Sequence, residues 1–363
     1  MAALKDIARR RLNNQRLLKP LGNAPVDVVR FLGAVQSQDY SGAKWALGMR
    51  TRGVTDADVE RAFAEGAILR THVMRPTWHF VTPPDIRWML ALTAPRVKAT
   101  MAYYDRKLEL DDAVFRRSNA AIERALRDAK QLTRQELAKA LRDARVDVTG
   151  GQRLGHLMLR AELDALICSG ARRGKQFTYA LLEERVPPAP SLQRDEALLE
   201  LTRRYFTARA PATANDFAWW SGLTVGDAKR GIEIASDALQ RELIEERVYW
   251  SAAGGALPPT TRSPVAHLLP NYDEYFIGFK DRSAIGQRLD SSQLVTGGDA
   301  LTAHVVVVDG QLVGGWRRFA NNPAVVELKL ITRLTSAETR AITTAANVYG
   351  SFLGMRLNLN QPS

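Results

Sequence analysis

A β-hairpin is predicted by the stretch Ile68-Leu69-Arg70-Thr71-His72-Val73-Met74-Arg75-Pro76-Thr77-Trp78-His79-Phe80-Val81. Apolar and polar residues alternate there on each side of Arg75-Pro76, and a proline is tolerated where a strand ends or turns. The chain before the hairpin has apolar residues at helical spacing, including a helix from Asp56 to Ala64 that opens with Thr55-Asp56-Ala57-Asp58, a variant of the capping box. Helices followed by a hairpin predict a winged-helix motif.

The same layout returns twice along the chain. In the second round, helices are predicted over 115–129, from Thr133 and over 153–167, followed by a hairpin over 167–179 whose tip is rich in glycine and arginine. A proline-rich linker at 186–190 precedes the third round, which has helices over 195–208, 216–220 and 225–239 and a strand over 243–250. The rounds agree in layout rather than in letters, and they predict a tandem array.

The last part of the chain is rich in predicted strands. After a loop over 254–264, the Asp309-Gly310 pair predicts a tight hairpin turn between the apolar stretches 305–308 and 311–313. A further strand is predicted over 325–330, and Thr335-Ser336-Ala337-Glu338 opens a helix. The predicted fold class is therefore α+β. It has three tandem winged-helix motifs, in segments 1–108, 109–190 and 191–262, and a small β-rich domain in segment 263–363.

Composition indicates the kind of partner. The chain of 363 residues carries a formal net charge of +12, and 45% of its residues are hydrophobic. That hydrophobic fraction is enough for packed cores, and the length predicts more than one domain. The positive charge favours a polyanionic partner, with nucleic acid ahead of a membrane surface. A proteome that is basic throughout is the alternative explanation, and charge alone does not decide between them.

Cysteine usage and hydropathy indicate the compartment. Cys168 is the only cysteine, so the sequence excludes an intramolecular disulfide and favours a reducing cytoplasm. The N-terminus has basic residues with no apolar core behind them, so no signal peptide is expected. Uncharged runs are too short to span a bilayer. We expect a cytoplasmic protein with no membrane partner.

Two primary amides stand two residues apart in the segment Gln36-Ser37-Gln38-Asp39. Apolar residues at helical spacing over 26–35 predict a helix before it, with Asn23 as its cap and Pro25 in its first turn. The pair should follow that helix on extended backbone, where positions i and i+2 face the same way, so that Gln36 and Gln38 project into one open cleft. Glutamines taken alone are more often solvated surface residues. Motifs elsewhere in the chain decide whether this pair has a catalytic role.

Five motifs are spread over nearly the whole chain. They are Gln36-Ser37-Gln38-Asp39, Arg75-Pro76-Thr77-Trp78-His79-Phe80, Asp216-Phe217-Ala218-Trp219-Trp220-Ser221-Gly222-Leu223, Leu268-Leu269-Pro270-Asn271-Tyr272-Asp273-Glu274-Tyr275 and Gly314-Gly315-Trp316-Arg317-Arg318. Together, though not singly, they resemble the AlkZ-type tandem winged-helix DNA glycosylases, which release alkylated bases and unhook azinomycin crosslinks. The resemblance implies three tandem winged helices, a C-terminal β-barrel and a β-hairpin that probes the minor groove of DNA.

The same resemblance implies where the chemistry takes place. In that family the motif is glutamine, an apolar residue and glutamine, and the two amides serve catalysis, which implies catalytic roles for Gln36 and Gln38. Ser37 departs from the apolar middle position and leaves the subfamily open. A related branch has aspartate at the second amide position, which this chain does not match. The histidines are scattered and no dinucleotide motif is present, so neither a metal nor a cofactor is predicted.

Other residues are candidates for supporting roles. Asp39 is a candidate general base, but it could equally cap the next segment or pair with Lys44 or an arginine. For His79, a structural role is favoured over contact with DNA or support of catalysis. Asp273 and Glu274 lie among aromatic residues. Their favoured interpretation is a pair of buried, hydrogen-bonded acids that tie the C-terminal domain to the winged helices.

Basic residues of the hairpins and of the last motif are candidate DNA contacts. They are Arg75 in the first hairpin, Arg172, Arg173 and Lys175 at the tip of the second, and Arg317 and Arg318 in the last motif. The tip of a wing usually contacts the phosphate backbone rather than the bases. We therefore expect these residues to bind DNA of any sequence.

The resemblance implies a monofunctional DNA glycosylase that hydrolyses the N-glycosidic bond of alkylated purines in double-stranded DNA. N7-alkylguanine, bulky natural-product adducts and interstrand crosslinks are the expected substrates, in self-resistance to a genotoxin. We expect the enzyme to be a monomer associated with the nucleoid. A winged-helix transcriptional regulator without catalysis is the first alternative, and an architectural or damage-sensing protein is the second.

Overall fold

The computed structural model describes residues 2–254, 264–289, 304–319 and 324–360 of the chain. The loop predicted over 254–264 therefore lies almost wholly outside the described residues. None of the described helices is long and apolar enough to cross a membrane. The fold is mixed α+β. In chain order its helices and strands are α1 (Ala2–Asn14), α2 (Pro25–Leu32), β1 (Val35–Gln36), α3 (Tyr40–Arg50), α4 (Asp56–Ala64), β2 (Leu69–His72), β3 (Trp78–Val81), α5 (Pro83–Lys107), α6 (Asp112–Leu126), β4 (Leu132–Thr133), α7 (Arg134–Asp143), α8 (Gln152–Leu163), β5 (Ile167–Ser169), β6 (Thr178–Leu181), α9 (Leu182–Arg185), α10 (Arg194–Ala208), α11 (Ala214–Ser221), α12 (Val225–Ile234), β7 (Leu239–Ile244), β8 (Arg247–Ala252), β9 (Ala266–Leu269), α13 (Glu274–Ile277), β10 (His304–Val308), β11 (Gln311–Phe319), β12 (Ala324–Leu330), α14 (Ser336–Leu353) and β13 (Leu357–Asn360).

The chain folds into two compact units. Unit 1 consists of Met1–Glu60, Leu199–Trp220 and Val225–Ser363, so it combines the N-terminal helices with most of the third round and the C-terminal sheet. Unit 2 consists of Arg61–Leu198 and Ser221–Thr224. The division into segments 1–108, 109–190, 191–262 and 263–363 stays a prediction.

The hairpin predicted over 68–81 is confirmed in unit 2, where β2 and β3 pair antiparallel along their length. The Arg70 guanidinium lies 4.2 Å from the centroid of the Trp78 ring and 4.4 Å from that of Phe177, so the strand packs through cation–π contacts. The long helix α5 follows directly and has no counterpart among the predicted helices. It begins at Pro83 and Pro84, which the first turn accepts because its N–H groups have no partner within the helix.

The second round, also in unit 2, has its own hydrophobic core. It lies among α6, α7, α8 and the sheet β4-β6-β5, and its fully buried members are Ile122, Leu126, Leu137, Leu141, Leu157, Ala161 and Ile167. Thr133 and Glu136 form the predicted capping box at the start of α7. The predicted hairpin over 167–179 is formed by β5 and β6. At its tip, Arg173 and Gln176 exchange backbone hydrogen bonds of 2.9 and 3.1 Å around Gly174.

The third round departs from the prediction at its hairpin. Its helices α10, α11 and α12 lie near the predicted positions, although α12 ends at Ile234 rather than near residue 239. The predicted single strand over 243–250 is instead the end of β7, a turn and part of β8, which pair antiparallel. Glu245 and Glu246 form this turn with φ angles of 46° and 62°. Residues other than glycine adopt such angles uncommonly, so glutamates carry no turn signal.

The C-terminal sheet of unit 1 has five strands in the order β13-β12-β11-β10-β9. The predicted hairpin on Asp309-Gly310 is confirmed, with φ angles of 47° and 80° in the turn. The helix α14 begins at the predicted capping box of Thr335 and Glu338. The described strands form an open sheet with β13 and β9 at opposite edges, and the barrel that the resemblance implied is not confirmed.

The helix before the amide pair is confirmed as α2, in unit 1. Pro25 lies in its first turn as predicted, but its N-cap residue is Ala24 and not Asn23, and no side chain caps it. Proline alone suffices to start the helix because its fixed φ angle already matches the helical one. The helix α3, which begins two residues after Gln38, is absent from the predicted set.

Candidate active site

The amides of Gln36 and Gln38 lie in different surroundings. The strand β1 ends at Gln36, and the chain bends before α3 begins at Tyr40. Gln36 is 6% exposed and Ser37 is fully buried, whereas Gln38 is exposed. The expectation that both amides face an open cleft is therefore wrong for Gln36, because the extended backbone ends there instead of continuing through Gln38.

Asp39 ends the segment as the N-cap of α3. Its Oδ1 atom accepts a hydrogen bond of 3.0 Å from the backbone N–H of Gly42. Lys44, which was the other possible partner, donates instead to Asp56 at 2.8 Å and to Glu60 at 2.9 Å. Of the alternatives for Asp39, capping of the next helix is therefore the one that the structure shows. A role of Asp39 as a general base stays a prediction.

A buried ion pair holds the backbone of Gln36. The Oε1 atom of Glu274 accepts a hydrogen bond of 2.9 Å from the Gln36 backbone N–H. The Oε2 atom accepts two from Arg209, at 2.6 and 3.2 Å, and one from the Trp220 indole at 2.9 Å. Arg209, Trp220 and Glu274 are all fully buried. We call these three residues the cradle.

The arginine of the cradle also holds the chain just before Gln36. Arg209 donates from Nη1 to the Leu32 carbonyl at 2.7 Å and from Nη2 to the Ala34 carbonyl at 3.1 Å. Its guanidinium lies over the Trp220 ring, 4.2 Å from the ring centroid. A backbone group at each of the alternate positions 32, 34 and 36 is therefore bound to one ion pair. Such satisfied buried networks make a segment rigid.

The acid next to Glu274 forms a second buried ion pair. Arg50 donates to both carboxylate oxygens of Asp273 at 2.8 Å and to the Gln15 carbonyl at 2.9 Å. The interpretation of Asp273 and Glu274 as buried, hydrogen-bonded acids is confirmed. Arg50 and Arg209 were not predicted. The signal that could have found them is that two buried acids require cationic partners.

His304 and Arg318 lie near the Asp39 end of the segment. The Asn271 backbone N–H donates to Nδ1 of His304 at 2.8 Å, and the His304 and Trp316 ring centroids are 4.6 Å apart. Burial lowers the pKa of His304, Asp39 raises it and Arg318 lowers it, so both charges reach the imidazole. With Nδ1 accepting, the neutral ring carries its proton on Nε2. Sequence reasoning saw His304 only as one of several scattered histidines.

The predicted wing tip brings Arg172, Arg173 and Lys175 together in unit 2. Arg173 donates to Glu136 at 2.9 and 3.1 Å. The Arg172 guanidinium lies 5.3 Å from the centroid of the Phe177 ring, and Lys175 is exposed. Arg173 must therefore exchange a carboxylate for a phosphate if it contacts DNA, while Lys175 is presented directly to solvent.

Arg173 keeps the Glu136 carboxyl group ionised to low pH. Its hydrogen bond, followed by those from Thr133, lowers the pKa of Glu136 from 4.5 to about 2. Since the folded-state pKa is depressed, this stabilisation is present above about pH 4.5 and is lost as pH falls toward about 2. We expect Arg173→Ala to raise the midpoint of Glu136 in a carboxyl NMR titration. An unchanged midpoint would contradict the role given to Arg173.

The remaining predicted residues lie in separate places. In unit 2, His79 is fully buried and its Nδ1 donates to the Thr77 carbonyl at 2.9 Å, which fits the structural interpretation, and Arg75 is half-buried. In unit 1, Arg317 and Arg318 are both exposed, and Arg317 pairs with Glu327 at 3.2 Å. Contact of any of them with DNA stays a prediction.

Cys168 is packed as a core thiol. Burial raises its pKa to about 12, so it is protonated at neutral pH and is a poor nucleophile. Among the described residues, no group of three His, Cys, Asp or Glu side chains is placed to hold a metal ion.

The family model described as DNA glycosylase AlkZ-like matches residues 29–352. This match spans the amide segment, the cradle and all three predicted hairpins, and it ends within α14. The chain therefore belongs to the AlkZ-like DNA glycosylase family. It is a DNA glycosylase, an enzyme whose substrate is DNA.

Two comparisons with individual proteins agree with this assignment. The interstrand DNA cross-link repair glycosylase of Streptomyces sahachiroi is 24% identical over 330 residues, which cover 87% of this chain and 88% of that protein. The solved structure of the DNA glycosylase AlkZ from Streptomyces sahachiroi matches with a TM-score of 0.81 at 23% identity and covers 99% of both chains. At that identity the structural likeness establishes the fold.

Proposed function

We propose that this enzyme is a monofunctional glycosylase of alkylated purines whose catalytic amides are Gln36, which is almost fully buried, and Gln38, which is exposed. The observation that carries the proposal is the hydrogen bond of 2.9 Å from the Gln36 backbone to the buried Glu274. It fixes one end of the segment, and the Asp39 cap fixes the other. Neutral dipoles such as amides stabilise a transition state well when they are held where charge develops, and this segment is held at both ends.

The chemistry of the leaving base explains why two amides suffice. Alkylation at N7 makes guanine cationic, so the base takes the electrons of the C1′–N9 bond and departs as a neutral molecule without a general acid. Water adds its oxygen to C1′ and releases one proton, to solvent or to the Asp39 carboxylate. One amide carbonyl orients this water, and the other places partial negative charge near the oxocarbenium-like sugar. Unmodified guanine would need protonation and should resist release.

The finer substrate class follows from the same chemistry together with the family. We propose bulky natural-product adducts and interstrand crosslinks at N7 of guanine as substrates, in self-resistance to a genotoxin. Three winged helices, over 1–108, 109–190 and 191–262, would hold the duplex. A monomer would then make the DNA contacts that transcriptional regulators gain by forming dimers. The transcriptional regulator is not favoured, because the chain belongs to a family of glycosylases.

The proposed reaction is tested with duplex DNA that contains one N7-methylguanine. We expect the purified protein to create an alkali-labile abasic site at the lesion and none in the matched duplex with guanine. A double variant with Gln36→Ala and Gln38→Ala controls for contaminating activity. Failure of the folded, DNA-binding wild type to create such sites would overturn the substrate assignment. Strand breaks without alkali treatment would overturn the monofunctional mechanism.

DNA binding by the wing tip should be electrostatic and independent of the lesion. A protein that contacts 6 to 10 phosphates loses roughly 10³- to 10⁵-fold in affinity between 50 and 200 mM salt. Replacing Arg172 and Arg173 by alanine should reduce this salt dependence and weaken binding to lesion and plain DNA alike, as measured by fluorescence anisotropy. Excision at saturating protein should be unaffected. Loss of excision with unchanged binding would show that the tip does not act as proposed.

A further inference from the structure

We propose that the cradle positions Gln36 for base release, so that Arg209 and Glu274 are positioning residues of the reaction. This inference rests on the proposed function of the amides. Both side chains are fully buried and act on the segment through its backbone. Their partners are the Leu32 carbonyl, the Ala34 carbonyl and the Gln36 N–H, at 2.7, 3.1 and 2.9 Å.

The geometry leaves the amide segment little freedom. The cradle holds the backbone up to Gln36, and the Asp39 carboxylate fixes the first turn of α3 through the Gly42 N–H. Only Ser37 and Gln38 lie between these two anchors. Gly33, inside the held stretch, has a φ of +80°, and a Cβ atom there would lie 3.6 Å from the Trp220 ring. The cradle therefore determines the path of the backbone up to Gln36 and the direction in which the chain continues into Ser37 and Gln38.

An arginine is needed for this arrangement. Arg209 uses Nε and Nη2 on Glu274, Nη1 on the Leu32 carbonyl and Nη2 on the Ala34 carbonyl. A planar fork of donors joins a carboxylate and two carbonyls in one plane, which a lysine ammonium does not do. Buried ion pairs often contribute little net stability compared with apolar residues of similar volume. We therefore attribute the presence of the Arg209–Glu274 pair to positioning of the catalytic segment and not to stability.

The chain contains a matched control for the cradle. Arg50 is also fully buried, also binds a buried acid with two hydrogen bonds, and also donates to backbone carbonyls. Those carbonyls belong to Gln15 and Ala46, and no hydrogen bond of Arg50 in the described structure reaches the stretch from Leu32 to Gln36. Arg50→Lys and Arg209→Lys therefore remove the same chemistry from the same unit, but only the second removes it from the amide segment.

The experiment compares these two variants with the wild type under conditions in which all three are folded by circular dichroism. Single-turnover release of N7-methylguanine is measured at saturating protein, and DNA affinity is measured separately. We expect Arg209→Lys to slow release about 100-fold, since a displacement on the order of 1 Å has an effect of this size. DNA affinity should not change. Arg50→Lys should keep the wild-type rate. Equal rates for the two lysine variants would overturn the proposal.

A second variant and a second readout do not depend on the activity. Glu274→Asp keeps the charge beside Arg209 but withdraws the carboxylate from the Gln36 N–H. Amide hydrogen exchange over 32–38 should be faster in Glu274→Asp and Arg209→Lys than in Arg50→Lys. Unchanged exchange in this segment would overturn the cradle, even for an active enzyme. If the wild type releases no methylguanine, the proposed function fails, and the exchange data still decide whether the cradle holds the segment.

Discussion

Replacing Gln38 by alanine is expected to slow release of N7-methylguanine about 100- to 1,000-fold, which corresponds to roughly 3–4 kcal/mol in the activation barrier. Gln38 is exposed and follows the held backbone by two residues, so its truncation opens no core cavity. The melting temperature and the DNA affinity should therefore stay near those of the wild type. Single-turnover kinetics on duplex DNA at saturating protein measure the effect on the chemical step alone.

The same change at Gln36 should have two consequences. Because this residue is only 6% exposed, Gln36→Ala should lower the free energy of unfolding by about 1–3 kcal/mol in addition to slowing the reaction. Gln193→Ala, at an exposed glutamine outside the amide segment, is the matched control and should change neither quantity. If Gln38→Ala releases the base at the wild-type rate, its amide is not catalytic and the mechanism proposed here is wrong.

Local signals predicted the parts of the fold that short-range interactions determine. The capping boxes at Thr133 and Thr335 and the turn at Asp309-Gly310 each depend on residues within three or four positions of one another, and all were found as predicted. The turn at Glu245 and Glu246 was missed because its left-handed angles are imposed by the strands that pair on either side. No residue in that turn has an intrinsic preference for it.

The candidate site shows the same limit more sharply. The sequence located the amide segment, but not that Gln36 would be buried and Gln38 exposed. The backbone of Gln36 is held by Glu274, which is 238 positions away in the chain, and Arg209 is paired to that acid. No periodicity or motif spacing links residues so far apart. Trp220 and Glu274 stood in two of the quoted motifs, but nothing in the sequence linked them to Arg209 or to the amide segment.

Gly222 lies in the short segment Ser221–Thr224, which belongs to unit 2 and contacts the first hairpin there. Its φ angle is +71°, and an ideal Cβ atom there would lie 1.9 Å from the carbonyl oxygen of Met74. Met74 itself has a φ angle of 65° in the turn that carries Arg75. The contact is therefore between the backbones of Gly222 and Met74. Both residues have positive φ angles, which leave the backbone little room to adjust. A methyl group at residue 222 has to displace the turn rather than a flexible side chain.

Gly222→Ala is accordingly expected to lower the free energy of unfolding by roughly 3–5 kcal/mol. About 1–2 kcal/mol comes from alanine in a left-handed conformation, and the rest from overlap with backbone that yields poorly. Gly174→Ala is the matched control in the same unit, because its φ is +60° but no atom lies within 4 Å of the added carbon. Gly174→Ala should therefore lose only the stability that comes from placing alanine in a left-handed conformation, about 1–2 kcal/mol. Urea denaturation of both variants measures the difference, and equal losses would mean that the Met74 turn moves aside freely.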